Sequence, residues 1–459
     1  GNYHSPGDQK SPGGTFSPTD GYGYSTSCVN CELMTALSTN DGRSFHSVSR
    51  ILKLPQTAGD NESLAPSGWW ARGGVTIAAP RLREFEPVEE SPADPQQIIH
   101  LFMGKYVDIN QTSTHYHPAL TVWYLSLRWN GTAYLPTSSA PKQIARDDDN
   151  GTPRSAVQLP SGRIIYGHAD NSMPSAAIQT DGLLYGVLSD DGGHTWRRSQ
   201  AQKVPMGYEL VETGLAVAGG SVMQQDRATL WAVMRSERDK VHPSLWESYS
   251  TDDGASFSVP KPRNTTGRRL VSDSTPATPV RLRDGRLVLL WCNGLTTNQT
   301  YPTRQMLHAA VSSDGGKTFA RGFREIYRSI FSSTKFSGRT DYGAAYPFAI
   351  ETQHPGRLLV ATGQGYATQV MFLVDVAWIT SLTQKADYRH TAPPPSTPLF
   401  PEGRCNVPPC EWNSHGQVVD PRDFTGSFCS TFNTPVAASI QDGVGLVLAG
   451  QGSAFVWNF

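Results

Sequence analysis

The eight residues SDDGGHTW, beginning at Ser189, recur as STDDGASF from Ser250 and SSDGGKTF from Ser312, and more loosely as STNDGRSF from Ser38. Their shared form is S-x-[DN]-[DG]-G-x-[ST]-[WF]. The last three serines stand 61 and 62 residues apart, and the first gap, 151, fits two longer units of which one lacks the octet. A fixed period of this size marks an array of like units and governs every local reading that follows.

A second signal keeps step with the first. SAVQLPSGRIIYG (155–167) and TPVRLRDGRLVLLW (278–291) each place the glycine of an SGR or DGR turn 27 residues before an octet serine. Both read as strand, tight turn, strand. FAIETQHPGRLLVATGQG (348–365) and VAASIQDGVGLVLAGQG (436–452) repeat the pattern, and GLAVAGG…ATLWAVMR (214–235) does so with a longer turn. One unit is therefore four antiparallel strands, A to D, with the octet as the C–D turn. Its Asp accepts backbone N–H groups and its Gly permits a positive φ.

A lone sheet of this kind cannot bury both faces, whereas radial packing against neighbours does. The expected fold is all-β: a seven-bladed β-propeller of four-stranded antiparallel blades, near 1–60, 68–140, 150–200, 208–262, 273–325, 341–392 and 425–459. Six blades are the alternative, if the C-terminal strands complete the N-terminal blade. Residues 1–459 then form one domain, with 383–424 as a Pro-rich irregular connection. The 43 Gly, 33 Pro and 10% aromatic residues suit many short strands joined by turns.

A net charge of −1 argues against nucleic acid or an anionic membrane surface as partner. No apolar run is long enough to span a membrane. The expected state is a monomer. Six cysteines (Cys28, Cys31, Cys292, Cys405, Cys410, Cys429) and six N-x-[ST] sequons (Asn61, Asn110, Asn130, Asn150, Asn264, Asn298) point to a secreted glycoprotein with disulfides. Gly1 in place of Met is read in the same sense. Cys405–Cys410 is the preferred local bridge, with a zinc site from Cys405, Cys410 and His415 as the rival.

In a propeller the D–A and B–C loops ring one mouth of the channel, and the octets lie at the other end. Histidines, arginines and tyrosines gather in those mouth loops: His115, His117, His168, His242, Arg72, Arg154, Arg235, Arg304, Tyr208, Tyr342 and Tyr346. Arginine can bind a carboxylate with two parallel hydrogen bonds, so such a mouth suits an acidic sugar. Trp69 and Trp70 are candidates for stacking on sugar faces. No cofactor is required, and a structural calcium ion in the channel, for example near Asp147, Asp148 and Asp149, is an option.

The octets resemble the Asp boxes of the sialidase-like propeller superfamily. Retaining sialidases combine an arginine triad, a tyrosine nucleophile helped by a glutamate, and an acid/base aspartate. Arg235 and Arg304 resemble triad members, and Tyr346 in DYGAAYP falls where the nucleophile would. ARGGVTIAAP (71–80) stands where those enzymes open the first blade with Arg-Ile-Pro or Arg-Leu-Pro. The segments 230–258, 278–293 and 341–365 are similar to secreted ulvan lyases and L-rhamnose-α-1,4-D-glucuronate lyases. That resemblance implies a polysaccharide lyase cleaving by β-elimination at a glucuronate, next to a non-reducing rhamnose of a polysaccharide such as gum arabic. It implies Arg235 as carboxylate holder, supported by Arg154 or Arg304, His117 or His168 as base or acid, and Tyr208 as their partner. His242, Tyr342 and Trp70 complete the expected substrate site. The alternatives are a glycoside hydrolase of the same fold, with Glu209, Glu212 or Asp341 as its carboxylate, and a non-catalytic carbohydrate-binding propeller.

Overall fold

The computed structural model describes residues 98–107, 119–147, 155–170, 182–205, 208, 210–219, 227–236, 244–265, 268–269, 272, 275–293, 306–319, 323–328, 346–362 and 370–381, together with six flanking strands. In chain order the strands begin with a hairpin, β1 (Glu32–Leu37) and β2 (His46–Lys53). The first blade holds β3 (Trp69–Trp70), β4 (Thr76–Ala78), β5 (Ile98–Val107), β6 (Ala119–Trp129), β7 (Tyr134–Pro136) and β8 (Lys142–Asp147). The second holds β9 (Ala156–Gln158), β10 (Ile164–Asp170), β11 (Leu183–Ser189), β12 (Arg197–Arg198) and β13 (Gln202–Lys203). The third holds β14 (Leu210–Gly219), β15 (Thr229–Ser236), β16 (Leu245–Ser250) and β17 (Lys261–Pro262), and a short ribbon follows, β18 (Asn264–Thr265) with β19 (Arg268–Arg269). The fourth is β20 (Thr278–Arg281), β21 (Leu287–Cys292), β22 (Met306–Ser312) and β23 (Phe323–Arg328). The fifth is β24 (Phe348–Glu351), β25 (Arg357–Thr362) and β26 (Val370–Asp375), followed by helix α1 (Val376–Thr380). A last hairpin pairs β27 (Gly445–Leu448) with β28 (Ala454–Trp457).

All pairing within the blades is antiparallel, and the extra strands fit one plan. In the first blade β3 and β4 both pair with β5, and β7 and β8 both pair with β6, so split strands occupy the A and D places. In the second, β12 and β13 share the D place beside β11. In the fifth, α1 follows β26 directly where a D strand would stand, packed beside β22 and β23 of the fourth blade.

The blade count corrects the expectation of seven or six. Among the described residues there are five blades, and the end segments contribute only the two-stranded hairpins β1–β2 and β27–β28, with β1 running beside β27. The reason lies in what the octet reports. It marks a C–D turn, so the copy at 38–45, between β1 and β2, certifies two strands and not four. The remaining strands of both terminal units were extrapolated from the period.

Strands of the second, third and fourth blades are apolar on both faces because each of these blades is sandwiched between two others. Phe102 and Tyr124 of the first blade pack with Tyr166 and Tyr185 of the second. Ile165 and Leu184 point the other way, to Leu230 and Trp246 of the third. Trp231 and Val233 meet Leu289 and Trp291 of the fourth, whose Val288 and Leu290 meet Leu358 and Phe372 of the fifth. Trp231 and Trp291 are fully buried, each contributing about 2–3 kcal/mol of apolar burial.

The octets are the C–D turns of the second, third and fourth blades. In SDDGGHTW, Ser189 Oγ donates to Asp191 Oδ1 at 2.8 Å and accepts from Gly193 N at 2.8 Å. Asp191 also accepts from Thr195 N at 2.8 Å and Thr195 Oγ1 at 2.6 Å. The same four bonds recur around Asp252 with Ser250, Gly254 and Ser256, and around Asp314 with Ser312, Gly316 and Thr318. Each turn also clasps the preceding blade. A Cβ added at Gly193 would lie 2.1 Å from the Tyr124 hydroxyl, at Gly254 2.9 Å from Ile165, and at Gly316 2.7 Å from the Trp231 ring. Tyr124 completes the first clasp, donating to Gly192 O at 3.2 Å while standing 2.7 Å from His100 Nδ1. Burial pushes the His100 pKa down to about 4, so the ring is neutral near pH 7. Arg263 adds another, joining Glu247 of its own blade at 2.6 Å to Lys317 O of the next octet at 2.9 Å.

Candidate active site

At the opposite end of the blades, where A strands begin and B strands finish, three polar side chains meet in the interior. Arg235 is the penultimate residue of β15, and its Nη1 donates to Glu212 Oε2 at 2.7 Å and to the Tyr346 hydroxyl at 3.3 Å. All three residues are buried. Arg235 and Glu212 belong to the third blade, whereas Tyr346 lies two residues before β24 of the fifth. The contact therefore reaches past the head of β20, which packs beside both β14 and β24.

Local backbone geometry aims these groups. The register of β14 against β15 slips between Val211 and Gly214, and Glu212 in that slip has φ +54°. Tyr346 has φ +55°, although it precedes Pro347, a position that ordinarily prefers extended backbone. Left-handed conformations at residues other than glycine cost roughly 1–3 kcal/mol and persist where surrounding structure enforces them. Here Thr278 Oγ1 of β20 donates to the Pro347 carbonyl and ties the Tyr346 turn to the fourth blade. Two such residues converging on one arginine is the pattern of a built site.

Electrostatics set the chemistry available. A buried guanidinium facing a buried carboxylate is stable as a pair, and removing either partner strands a charge at a cost of about 3–5 kcal/mol. The guanidinium N–H on the Tyr346 oxygen stabilises negative charge there, which makes the phenol a better nucleophile or base. Arg235 reaches both Glu212 and Tyr346 through one nitrogen, Nη1, so a single guanidinium edge organises the carboxylate and the phenol.

Of the expected site residues, Arg235 stands at the centre of this arrangement. His168 lies within β10, opposite Tyr185 in register, with ring centroids 4.9 Å from Tyr185 and 5.8 Å from Tyr166. Tyr208 is half-buried with its ring 4.4 Å from Trp246. Tyr208 packs against the cluster between the second and third blades, and the contacts of the His168 ring with Tyr166 and Tyr185 are within its own blade. Trp70 forms β3 with Trp69, opposite Gly104. His117, Arg154, His242, Arg304 and Tyr342 lie outside the described residues, as do Glu209, Asp341, Asp148 and Asp149. Cys292 ends β21 and is buried, and the other five cysteines, with His415, lie outside the described residues. Among the described residues no group of three His, Cys, Asp or Glu is placed to hold a metal ion. No helix among them is long and apolar enough to cross a membrane.

From sequence, Glu212 was one carboxylate of three, and Tyr346 was both a mouth-loop tyrosine and the position where a nucleophile would fall. VETG and AYP carry no sign of left-handed backbone at Glu or Tyr, so pattern alone did not select them.

The family described as a BNR repeat-like domain matches residues 93–359, more than half of the chain. No curated protein matches the sequence. Among solved structures, a protein of unknown function from Dyadobacter fermentans is 14% identical with TM-score 0.44, over 75% of this chain and 94% of that one. The Hadza microbial sialidase Hz136 is 12% identical with TM-score 0.46, over 76% of this chain and 66% of its own. An α-L-arabinanase from Penicillium chrysogenum is 12% identical with TM-score 0.40, over 75% of this chain and 82% of that one.

Proposed function

We propose that this chain, which belongs to the BNR repeat-like domain family, is a carbohydrate-active enzyme: a glycoside hydrolase of an anionic glycan, with Tyr346 as nucleophile. The observation that carries this reading is the buried contact of Arg235 with both Glu212 and the Tyr346 hydroxyl. A tyrosine nucleophile is known chemistry for sialidases. It suits an anionic substrate because the neutral phenol does not repel the substrate carboxylate as a carboxylate nucleophile would.

The Tyr346 oxygen attacks the anomeric carbon as the bond to the leaving oxygen breaks, the phenol proton passing through water to the leaving oxygen. The glycosyl–tyrosine is then hydrolysed by water, whose proton restores the phenol. Arg235 stabilises the phenolate character of Tyr346 during attack and departure. Glu212 fixes the Arg235 side chain and balances its charge within the protein. An arginine of the mouth loops is the residue type suited to hold the substrate carboxylate.

The test is product analysis on a panel of acidic glycans comprising sialylated oligosaccharides, gum arabic and ulvan. Hydrolysis releases reducing sugar without ultraviolet absorbance from an unsaturated uronate. Appearance of that absorbance would replace hydrolysis by β-elimination, the reaction implied by the lyase resemblance, with Tyr346 then taking the C5 proton. Tight binding without turnover on the whole panel would replace both with a binding role.

A further inference from the structure

We propose that Asn130 is an acceptor for an N-linked glycan, carried at the end of the propeller opposite Tyr346. Asn130-Gly131-Thr132 forms the turn between β7 and its partner β6. This is the C–D turn of the first blade, the place filled by an octet in the second, third and fourth. The missing octet and the sequon are thus one feature: where the other turns present an Asp to backbone N–H groups, this one presents an Asn.

Asn130, Gly131 and Thr132 are all exposed. Asn130 Oδ1 accepts from Thr132 N at 2.9 Å, Ala133 N at 2.8 Å and Thr132 Oγ1 at 3.0 Å. Gly131 takes φ +100°, with nothing within 4 Å of where a Cβ would stand. With Oδ1 folded into the turn, Nδ2 occupies the outer side of the amide. The Trp129 and Tyr134 rings, with centroids 5.1 Å apart, hold the hairpin stem beneath it.

The chemistry follows from those contacts. Three donors on Oδ1 stabilise the negative charge that develops there as Nδ2 gives up a proton. The co-reactant is a polyprenyl-pyrophosphate-linked oligosaccharide and its transferase. The Nδ2–C1 bond forms, the C1–O bond to pyrophosphate breaks, a transferase base takes the Nδ2 proton, and polyprenyl pyrophosphate leaves with the electron pair. A sequon specifies this reaction in the secretory pathway. A glycan at a C–D turn leaves the mouth holding Glu212, Arg235 and Tyr346 open to substrate.

The full chain is directed into the secretory pathway of a eukaryotic host, and the secreted protein is digested with a peptide N-glycosidase in heavy-oxygen water. Mass spectrometry is expected to find Asn130 converted to isotopically marked Asp. Asn130→Asp, which keeps the acceptor oxygens of the turn and lacks the amide, is expected to be secreted with one glycan fewer by intact mass. An unmodified Asn130 peptide in the secreted wild-type protein, or an unchanged glycan count in Asn130→Asp, overturns the proposal.

Discussion

The Asp191 carboxylate and the Arg235 guanidinium stand at opposite ends of the blades and are satisfied in opposite ways. Asp191 is exposed, and its partners Ser189 and Thr195 lie two and four residues away. Arg235 is buried, with partners 23 and 111 residues away. The first arrangement is written into eight consecutive residues and repeats wherever they do. The second exists once, after three blades have assembled and two left-handed turns have formed. Repetition at one end holds the scaffold, and the singular cluster at the other is where chemistry is expected.

The sharpest way to break this contrast is Tyr346→Phe. Loss of the hydroxyl is expected to lower turnover of the cleaved glycan at least about a hundredfold. The lost hydrogen bond is expected to cost only about 1 kcal/mol of stability. Kinetics and a urea titration on the same preparation separate the two quantities. Near wild-type turnover in Tyr346→Phe would remove the functional half of the comparison.

The octet end should answer in reverse. Gly316→Ala places a Cβ 2.7 Å from the fully buried Trp231 ring, at a residue with φ +84°. Overpacking and backbone strain together are expected to cost about 1–3 kcal/mol, with kcat/KM unchanged. Gly192→Ala is the control: φ is +71°, but nothing lies within 4 Å of the added carbon. A smaller loss of urea stability there isolates the clasp between blades from the left-handed turn itself. Equal losses would mean that the turn conformation matters and the clasp does not.

The same contrast explains what the sequence made legible. The period and the SGR and DGR turns located the strands of the second to fourth blades, because hairpins and octets are local devices. The fifth blade was found from FAIETQHPGRLLVATGQG alone, and its D place is taken by α1, which no octet announced. The count of seven failed where a two-strand signal was extended to four strands. Arg235 was legible because a charged residue closing an apolar strand, LWAVMR, has to be paired or functional. Glu212 and Tyr346 were named, as one carboxylate of three and as the place of a nucleophile, but nothing joined them to Arg235, because their aim depends on a register slip and on a turn anchored by Thr278 from another blade. His168 and Tyr208 were chosen from the polar composition of a mouth, which does not say what a ring touches; their rings lie beside Tyr185 and Trp246.

The smallest expected effect concerns acid. Hydrogen bonds from the Thr195 side chain and backbone, with one from Ser189, hold the Asp191 carboxyl well below its ordinary value of 3.8. Burial pulls Asp252 and Asp314 upward, but bonds from Ser256 and Thr318 outweigh it, and both also lie below 3.8. A carboxyl whose folded-state pKa is depressed binds its proton more readily in the unfolded chain. Its stabilising contribution is therefore complete above the ordinary value and fades as pH falls through the depressed one. The three octets should give the urea midpoint an acid limb that starts near pH 3.8 and deepens below it. Asp191→Asn keeps one acceptor oxygen and cannot titrate, so its limb should be shallower than that of the wild type, while the two proteins respond alike from pH 5 to 7. An acid limb unchanged by Asp191→Asn would mean that the exposed octet carboxylates lend the scaffold geometry without charge-dependent stability, leaving the buried Arg235 cluster as the place where ionisation matters.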